Sequence, residues 1–203
     1  MILEELDVQK ELDYYGDVEF RKFLKISRLV RETVTITEKI DGTNGQICVW
    51  RDKRGCLHIR AGGRNRWLTE KDHNFHFYDF VMANAVELIE GLGEGRHYGE
   101  WYGQGINRNY GLKEKRFALF NTQKWAGSHL PECCGIVPVL GTYSLDFVNA
   151  VIDNCRNRLI EYGSHLVEGF MEPEGLMLYL HDLGRYYKVL FENNEGHKGK
   201  RHE

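Results

Sequence analysis

The residues with the clearest chemical potential surround a lysine. Glu38-Lys39-Ile40-Asp41-Gly42-Thr43-Asn44-Gly45 follows the alternating β-branched run Thr33-Val34-Thr35-Ile36-Thr37 and precedes Gln46-Ile47-Cys48-Val49-Trp50, so Lys39 falls where a strand gives way to a turn. A strand end fixes the backbone while a glycine-containing turn leaves space above the amine, an arrangement that suits a nucleophile. Taken alone, the stretch favours a plainer account: a β-hairpin with one surface lysine. Other candidates lie downstream. Ala61-Gly62-Gly63-Arg64-Asn65-Arg66 joins glycines, which permit close backbone approach to a ligand, to arginine forks that suit phosphates, carboxylates or sugar hydroxyls, although such a loop is more often a solvated turn. Glu100 stands between rings and glycines in Tyr98-Gly99-Glu100-Trp101-Tyr102-Gly103, where it either faces water at a strand edge or, if buried, needs a specific partner. Phe117 and Phe120 pack a core or form a stacking wall for a base.

These residues need elements to position them. Residues 1 to 30 pass from acidic to basic and apolar and are expected to give a short helix and an irregular lead-in. The strands on either side of Lys39, with Cys56-Leu57-His58-Ile59-Arg60 after the turn Asp52-Lys53-Arg54-Gly55, are expected to make an antiparallel meander. The spacing of Phe77, Phe80, Val81, Val86 and Ile89 predicts one helix from about Asn74 to Glu90, ended by Gly91-Leu92-Gly93. Strands are expected at His97 to Ile106, Arg116 to Thr122 and Gly135 to Leu140. Ser144 can cap a helix from Leu145 to about Tyr162 whose buried stripe is Phe147, Val148, Val151, Ile152, Cys155 and Leu159. A final hairpin joins Glu172 to Leu180 with Arg185 to Phe191 through His181-Asp182-Leu183-Gly184, and brings Glu174 near the far end of its partner strand. The tail from Asn194 is polar and is expected to fray.

Composition bounds the rest. A chain of 203 residues with 42% hydrophobic and 28% charged residues fits one globular domain. No apolar run approaches the roughly 20 residues of a membrane span, and Met1-Ile2-Leu3-Glu4-Glu5 lacks a signal-peptide layout, so a cytoplasmic protein is expected. Five irregularly spaced cysteines suggest free thiols; Cys133 and Cys134 are expected to be buried and structural, and His73 and His76 to lie on a helix surface. A formal net charge of -3 argues against wholesale charge-driven binding of nucleic acid, yet leaves room for a local basic groove.

In this order the pieces resemble the covalent nucleotidyltransferases, the superfamily of ATP-dependent RNA and DNA ligases and capping enzymes, and within it the RNA ligase group. The carrying residues are Lys39-Ile40-Asp41-Gly42-Thr43-Asn44, Gly63-Arg64, Gly99-Glu100-Trp101-Tyr102-Gly103, Phe117 to Asn121, Glu174-Gly175-Leu176-Met177 and Lys188-Val189. The resemblance implies an α+β fold, an antiparallel-sheet, ATP-grasp-like ligase adenylation domain over residues 1–192 with the nucleotide between two sheets, followed by a charged tail at 193–203 and no C-terminal OB or accessory domain. It also implies roles. Lys39 would attack the α-phosphorus of ATP and expel pyrophosphate, leaving lysyl-AMP, which requires a free amine that nearby cations favour and carboxylates oppose. Glu38 would reach the adenine edge and Phe120 would stack on its face; Arg64 and Glu100 would hold the ribose. Glu174 would place Mg2+ (or Mn2+), Lys188 would neutralise the α-phosphate, and Asn44 would serve the nucleic-acid end.

In that scheme AMP passes to a 5'-phosphate and a 3'-hydroxyl displaces it, with RNA ends favoured over DNA and a protein partner conceivable in place of the absent C-terminal domain. The chain departs from the pattern at the fifth motif, which normally carries two lysines one residue apart; here Lys188 stands alone with Tyr186 beside it, and Arg185 is a partial substitute. The competing expectations are a minimal ATP-dependent DNA ligase sealing nicks and a catalytically weak nucleic-acid end-binding module. A capping guanylyltransferase is disfavoured because such enzymes keep a C-terminal domain.

Overall fold

The computed structural model of the chain describes Lys22 and residues 32–191. The chain divides into two units, 1–30 and 31–203, and every described residue but Lys22 belongs to the second. The expected N-terminal helix and the polar tail lie outside the described residues.

Two sheets organise the second unit. The first runs β7-β1-β8-β9, from strands β1 (Thr33–Lys39), β7 (Val139–Ser144), β8 (Gly175–Leu180) and β9 (Arg185–Leu190). The second runs β3-β2-β4-β5-β6, from β2 (Thr43–Arg51), β3 (Leu57–Gly62), β4 (Gly95–Gly103), β5 (Lys115–Leu119) and β6 (Cys134–Ile136). Among the described residues only β5 and β6 pair in parallel. This is the expected α+β class.

Strand periodicity divides each sheet into two unlike faces. On β1, Val34 and Ile36 join Leu176, Leu178 and Leu180 of β8 in a cluster with Cys155 and Leu159 of helix α4 (Val148–Tyr162). Thr35, Thr37 and Lys39 are left to the opposite face. On β2, Ile47 and Val49 join Trp101, Phe117 and Leu119 in packing on helices α1 (Phe77–Ala83) and α2 (Ala85–Leu92). Asn44, Gln46, Cys48 and Trp50 take the other side. A third cluster of Ile40, Tyr102, Tyr110, Ala118 and Val137 sits where the chain passes between the sheets, with Phe120, Leu166, Val167 and Phe170 packed against it.

Several elements depart from the sequence expectation. The strands flanking Lys39 do not form a hairpin: β1 is hydrogen-bonded by β7 and β8, and β2 by β3 and β4. The meander therefore reduces to β2–β3, because alternation fixes which face a residue takes but not which strand fills an edge. The helix expected from Asn74 to Glu90 breaks at Asn84, whose Nδ2 donates to the Phe80 carbonyl at 2.7 Å and so competes with the helix ladder. His73 and His76 precede α1 instead of lying on it, with Asn74, Phe75 and His76 in left-handed conformation at φ 46°, 54° and 67°. The run Gly135 to Leu140 splits between β6 and β7, which lie in different sheets and flank Pro138, a residue that cannot donate to a ladder.

Three smaller corrections follow from local chemistry. Asn121 leaves the expected strand and caps the short helix α3 (Thr122–Trp125), accepting from the Lys124 N–H at 3.0 Å. Ser144 caps a 3-10 turn, Leu145–Phe147, that leads into α4, and there Phe147 is 69% exposed, outside the buried stripe. Cys133 and Cys134 are half-buried; all five cysteines are free thiols. The last hairpin is as expected, with the Phe191 N–H donating to the Glu174 carbonyl at 3.1 Å.

The second sheet tolerates little at Gly45. A Cβ there would lie 2.6 Å from Phe77 Cζ and 2.8 Å from Phe117 Cε2, deep in the aromatic core. Gly45→Ala is therefore expected to destabilise the protein by about 1–3 kcal/mol, read as a lower urea midpoint at unchanged m-value.

Candidate active site

The end of β1 presents Lys39, and the start of β8 brings a carboxylate to it. Lys39 is opposite Gly175 in the β1–β8 register, so Glu174 arrives beside the amine: Nζ donates to Glu174 Oε2 at 2.5 Å, with side chains 21% and 17% exposed. This contact joins residues 135 apart in sequence.

From the second sheet comes Glu100, which pairs with Asn44 across β4 and β2. Its Oε1 accepts from the Gly42 N–H at 3.2 Å and its Oε2 from Asn44 Nδ2 at 3.4 Å. Burial pushes its pKa up to about 7; the positive charge of Lys39 and the Gly42 N–H oppose that rise, while Glu174 and Asp41 add to it. Gly42 is required by contact: a Cβ would fall 2.4 Å from the Trp101 carbonyl oxygen and 2.9 Å from Glu100 Cγ.

The turn between the sheets is strapped by residues that lie between the strands expected at His97 to Ile106 and Arg116 to Thr122. Asp41 accepts from Asn107 Nδ2 at 2.9 Å and Arg108 Nε at 3.2 Å, and its own N–H donates to Tyr110 Oη at 2.8 Å. Asn107 also donates to the Gly42 carbonyl at 2.8 Å, and Arg108 Nη1 to that of Glu172 at 3.1 Å. Asn107, Asn109 and Tyr110 have φ of 42°, 61° and 52°, and only the asparagine pair, tolerant of that region, hinted at a folded-back loop. Burial also raises the Tyr110 phenol above its ordinary pKa. A cavity of about 720 Å³ opens on the Asp41 side, lined by Arg108, Met171 and Glu172 among others, and does not include Lys39, Glu100 or Phe120.

The remaining predicted residues divide. Glu38 is 1% exposed and points to the α4 side: Ser164 Oγ donates to its Oε1 at 2.6 Å, and the His165 and Leu166 N–H groups to its Oε2 at 2.8 and 3.2 Å. Burial raises its pKa against those donors. Phe120 packs against the Ile40–Val137 cluster together with Leu166 and Val167. Lys188 is exposed and opposite Met177, itself opposite Thr37, which puts it on the Lys39 face. Arg185, opposite Leu180, takes the other face and cannot replace a lysine beside Lys188. Arg64 is exposed, with no hydrogen bond or ion pair among the described residues. The fold thus brings Lys39, Asn44, Glu100 and Glu174 into one connected group, with Lys188 on its face. It does not bring the Glu38 carboxylate into that group.

Among the described residues, one trio of possible metal ligands clusters: His73, His76 and Asp79, with ligand atoms within 4.8 Å of one another. They are engaged with each other, since His76 Nδ1 lies 2.6 Å from Asp79 Oδ2 and His73 Nδ1 accepts the His76 N–H at 3.0 Å. The two rings also stack 4.2 Å apart, a geometry in which they cannot aim at one ion.

Two sheets meeting around a strand-end lysine and carboxylates from distant strands form a ligase-type nucleotidyltransferase domain. Solved structures of RNA ligase from Naegleria gruberi have a similar fold. A lysine-to-alanine variant with ATP and Mn matches at TM-score 0.53 and 19% identity over 78% of this chain and 49% of that one. A glutamate-to-alanine variant with ATP and Mn matches at TM-score 0.53 and 19% identity over 84% and 57%. The form with PPi matches at 0.51 and 19% over 78% and 49%. The chain spans about half the length of these proteins. No curated protein matches it in sequence. Residues 32–172 match the RNA ligase family, and the chain belongs to that family.

Glu100 sets a pH dependence. Its folded pKa lies above the ordinary carboxylate value of 4.5, so the folded state holds a proton the unfolded state has lost, and the stability contributed by this group falls as pH rises from about 4.5 to about 7. Glu100→Gln removes that dependence. Its melting temperature relative to wild type is expected to be higher at pH 8 than at pH 5, measured by thermal denaturation.

Proposed function

We propose that this protein is an ATP-dependent polynucleotide ligase that acts on RNA ends through a covalent lysyl-AMP intermediate. The observation that carries the proposal is the placement of Lys39 Nζ 2.5 Å from Glu174 Oε2 at the junction of the two sheets. Lys39 Nζ attacks the α-phosphorus of ATP; a P–N bond forms and the bond to pyrophosphate breaks. Glu174 Oε2 holds the amine in position from 2.5 Å, and the free amine that attacks has first given its proton to solvent. AMP then passes to a 5'-phosphate, and a 3'-hydroxyl displaces it to join the strand.

The roles of neighbouring side chains follow from where they stand. Glu100, held by Gly42 and Asn44, accepts from a ribose hydroxyl, and Arg64 closes on the same sugar from its exposed loop. Phe120 stacks on adenine. Glu38 contributes at one remove: it fixes residues 164–166, so that Leu166 stands beside Phe120, and three of the roughly four acceptor positions of a carboxylate are already filled. Lys188 lies free on the Lys39 face for the α-phosphate oxygens. Asn44 sits at the mouth for the polynucleotide end.

The partly exposed Glu174 carboxylate fits a hard divalent cation such as Mg2+ or Mn2+, shared with substrate phosphates. Such an ion, when bound, supplies neutralisation of the triphosphate. Among the described residues no helix is long and apolar enough to cross a membrane. A cytoplasmic enzyme, meeting RNA ends with or without a partner protein, is the setting that accords with this reading.

Incubation with ATP labelled at the α-phosphate and Mg2+ is expected to label the protein in an acid-labile, base-stable bond. Lys39→Ala abolishes the label, and Glu174→Ala lowers its rate by about 100-fold or more, the scale of losing an electrostatic contact in such a site. Wild type that is free of AMP and stays unlabelled overturns the proposal. Joining of 5'-phosphorylated DNA but not RNA overturns the assignment to RNA.

A further inference from the structure

The face of the second sheet that carries Asn44 and Glu100 does not end at the active site. Where Glu100, Tyr102 and Ala118 are buried, its other half runs into solvent along β2, β3 and β4. Successive rungs set Tyr98 against Gln46, Arg96 and Arg60 against Cys48, and Trp50 against His58. From Asn44 to Trp50 this spans about 20 Å at the rise of a β-strand.

Rings and cations alternate along it. Tyr98 is 51% and Trp50 41% exposed, whereas Trp101 and Trp125 are 3% and 5% exposed. Between them, the Arg60 and Arg96 guanidinium carbons lie 4.8 and 5.5 Å from the centroid of the Trp67 ring, which leans over Gly62 at the edge of the face. Neither arginine pairs with a carboxylate among the described residues. Asp52 is engaged with His58 and Glu94 with Arg51. Gln46 Nε2 is the one buried side-chain N or O atom without a hydrogen-bond partner among the described residues.

We propose that this open half of the second sheet is the track on which an unpaired polynucleotide strand runs to the Asn44–Glu100 rung. One face of Trp50 stacks on His58 at 5.3 Å; its other face and the Tyr98 ring stack on bases only when those bases are free of a duplex, whereas a duplex offers this surface its backbone alone. Two arginines held against Trp67 supply the positive charge for phosphates between stacked bases, and they do so locally on a chain of net charge -3. The direction of the track rests on the ligase reading of the site. The binding itself does not.

The test uses the full chain and a short fluorescein-labelled 5'-phosphorylated RNA, single-stranded or annealed to its complement, followed by fluorescence anisotropy. Wild type is expected to bind the single strand more tightly than the duplex. A Trp50→Ala, Tyr98→Ala double variant weakens single-strand binding by at least about fivefold, the lower bound for losing one stacked base. An Arg60→Gln, Arg96→Gln variant lowers the slope of log affinity against log salt by roughly 0.7 per arginine. In both variants labelling of Lys39 from ATP alone persists, which shows that the fold and nucleotide site are intact. Unchanged affinity in both variants, or duplex bound as tightly as single strand, overturns the proposal. Loss of Lys39 labelling in wild type instead strikes the ligase reading and leaves the binding result standing.

Discussion

Ile40, Asp41 and Gly42 carry the chain from one sheet to the other, and the rest of the site depends on that crossing. Ile40 is buried in the cluster between the sheets, Asp41 is strapped from three directions by Asn107, Arg108 and Tyr110, and Gly42 is pressed against the backbone of Trp101. Because the crossing is so short, the end of β1 and the start of β2 stay adjacent while belonging to different sheets. Lys39 is thereby placed within reach of carboxylates from both: Glu174 through β8 and Glu100 through β4. A hairpin at the same position would have paired β1 with β2 and left no gap for a nucleotide.

Period-two alternation then allots the work. Glu38 and Lys39 are neighbours in sequence but serve opposite faces, one holding the segment after α4 and the other entering the site. The same rule separates Lys188 from Arg185 and leaves a single cation of β9 on the Lys39 face. It also continues the Asn44–Glu100 face outward into the row of exposed rings and arginines. The Asn44–Glu100 rung and the exposed rings are thus successive positions on one face of the second sheet, while Lys39 and Lys188 belong to the first.

The site concentrates charge in a half-buried space. Asp41 is neutralised by Arg108, Glu174 by Lys39, and Glu100 by weaker donors, which is why burial dominates at Glu100 and lifts its pKa to about 7. A nucleotide entering here would exchange these internal contacts for contacts to its own hydroxyls and phosphates.

The sequence by itself determined the strand at Thr33 to Thr37, the final hairpin, the helix expected from Leu145 to about Tyr162 except for its first turn, and the candidate residues Lys39, Glu100 and Glu174, because alternation, turn chemistry and motif order are local properties of the chain. It also carried the family resemblance on those motifs. Tertiary structure alone decided that β1 and β2 part company, that Gly135 to Leu140 splits at Pro138, and that Asn107, Arg108 and Tyr110 hold Asp41. Each of these depends on which distant segment fills a strand edge or a cavity, and a period of two specifies a face but never a partner. The direction of Glu38 belongs to the same class: its alternation predicts a buried side, but only the fold shows Ser164, His165 and Leu166 waiting there.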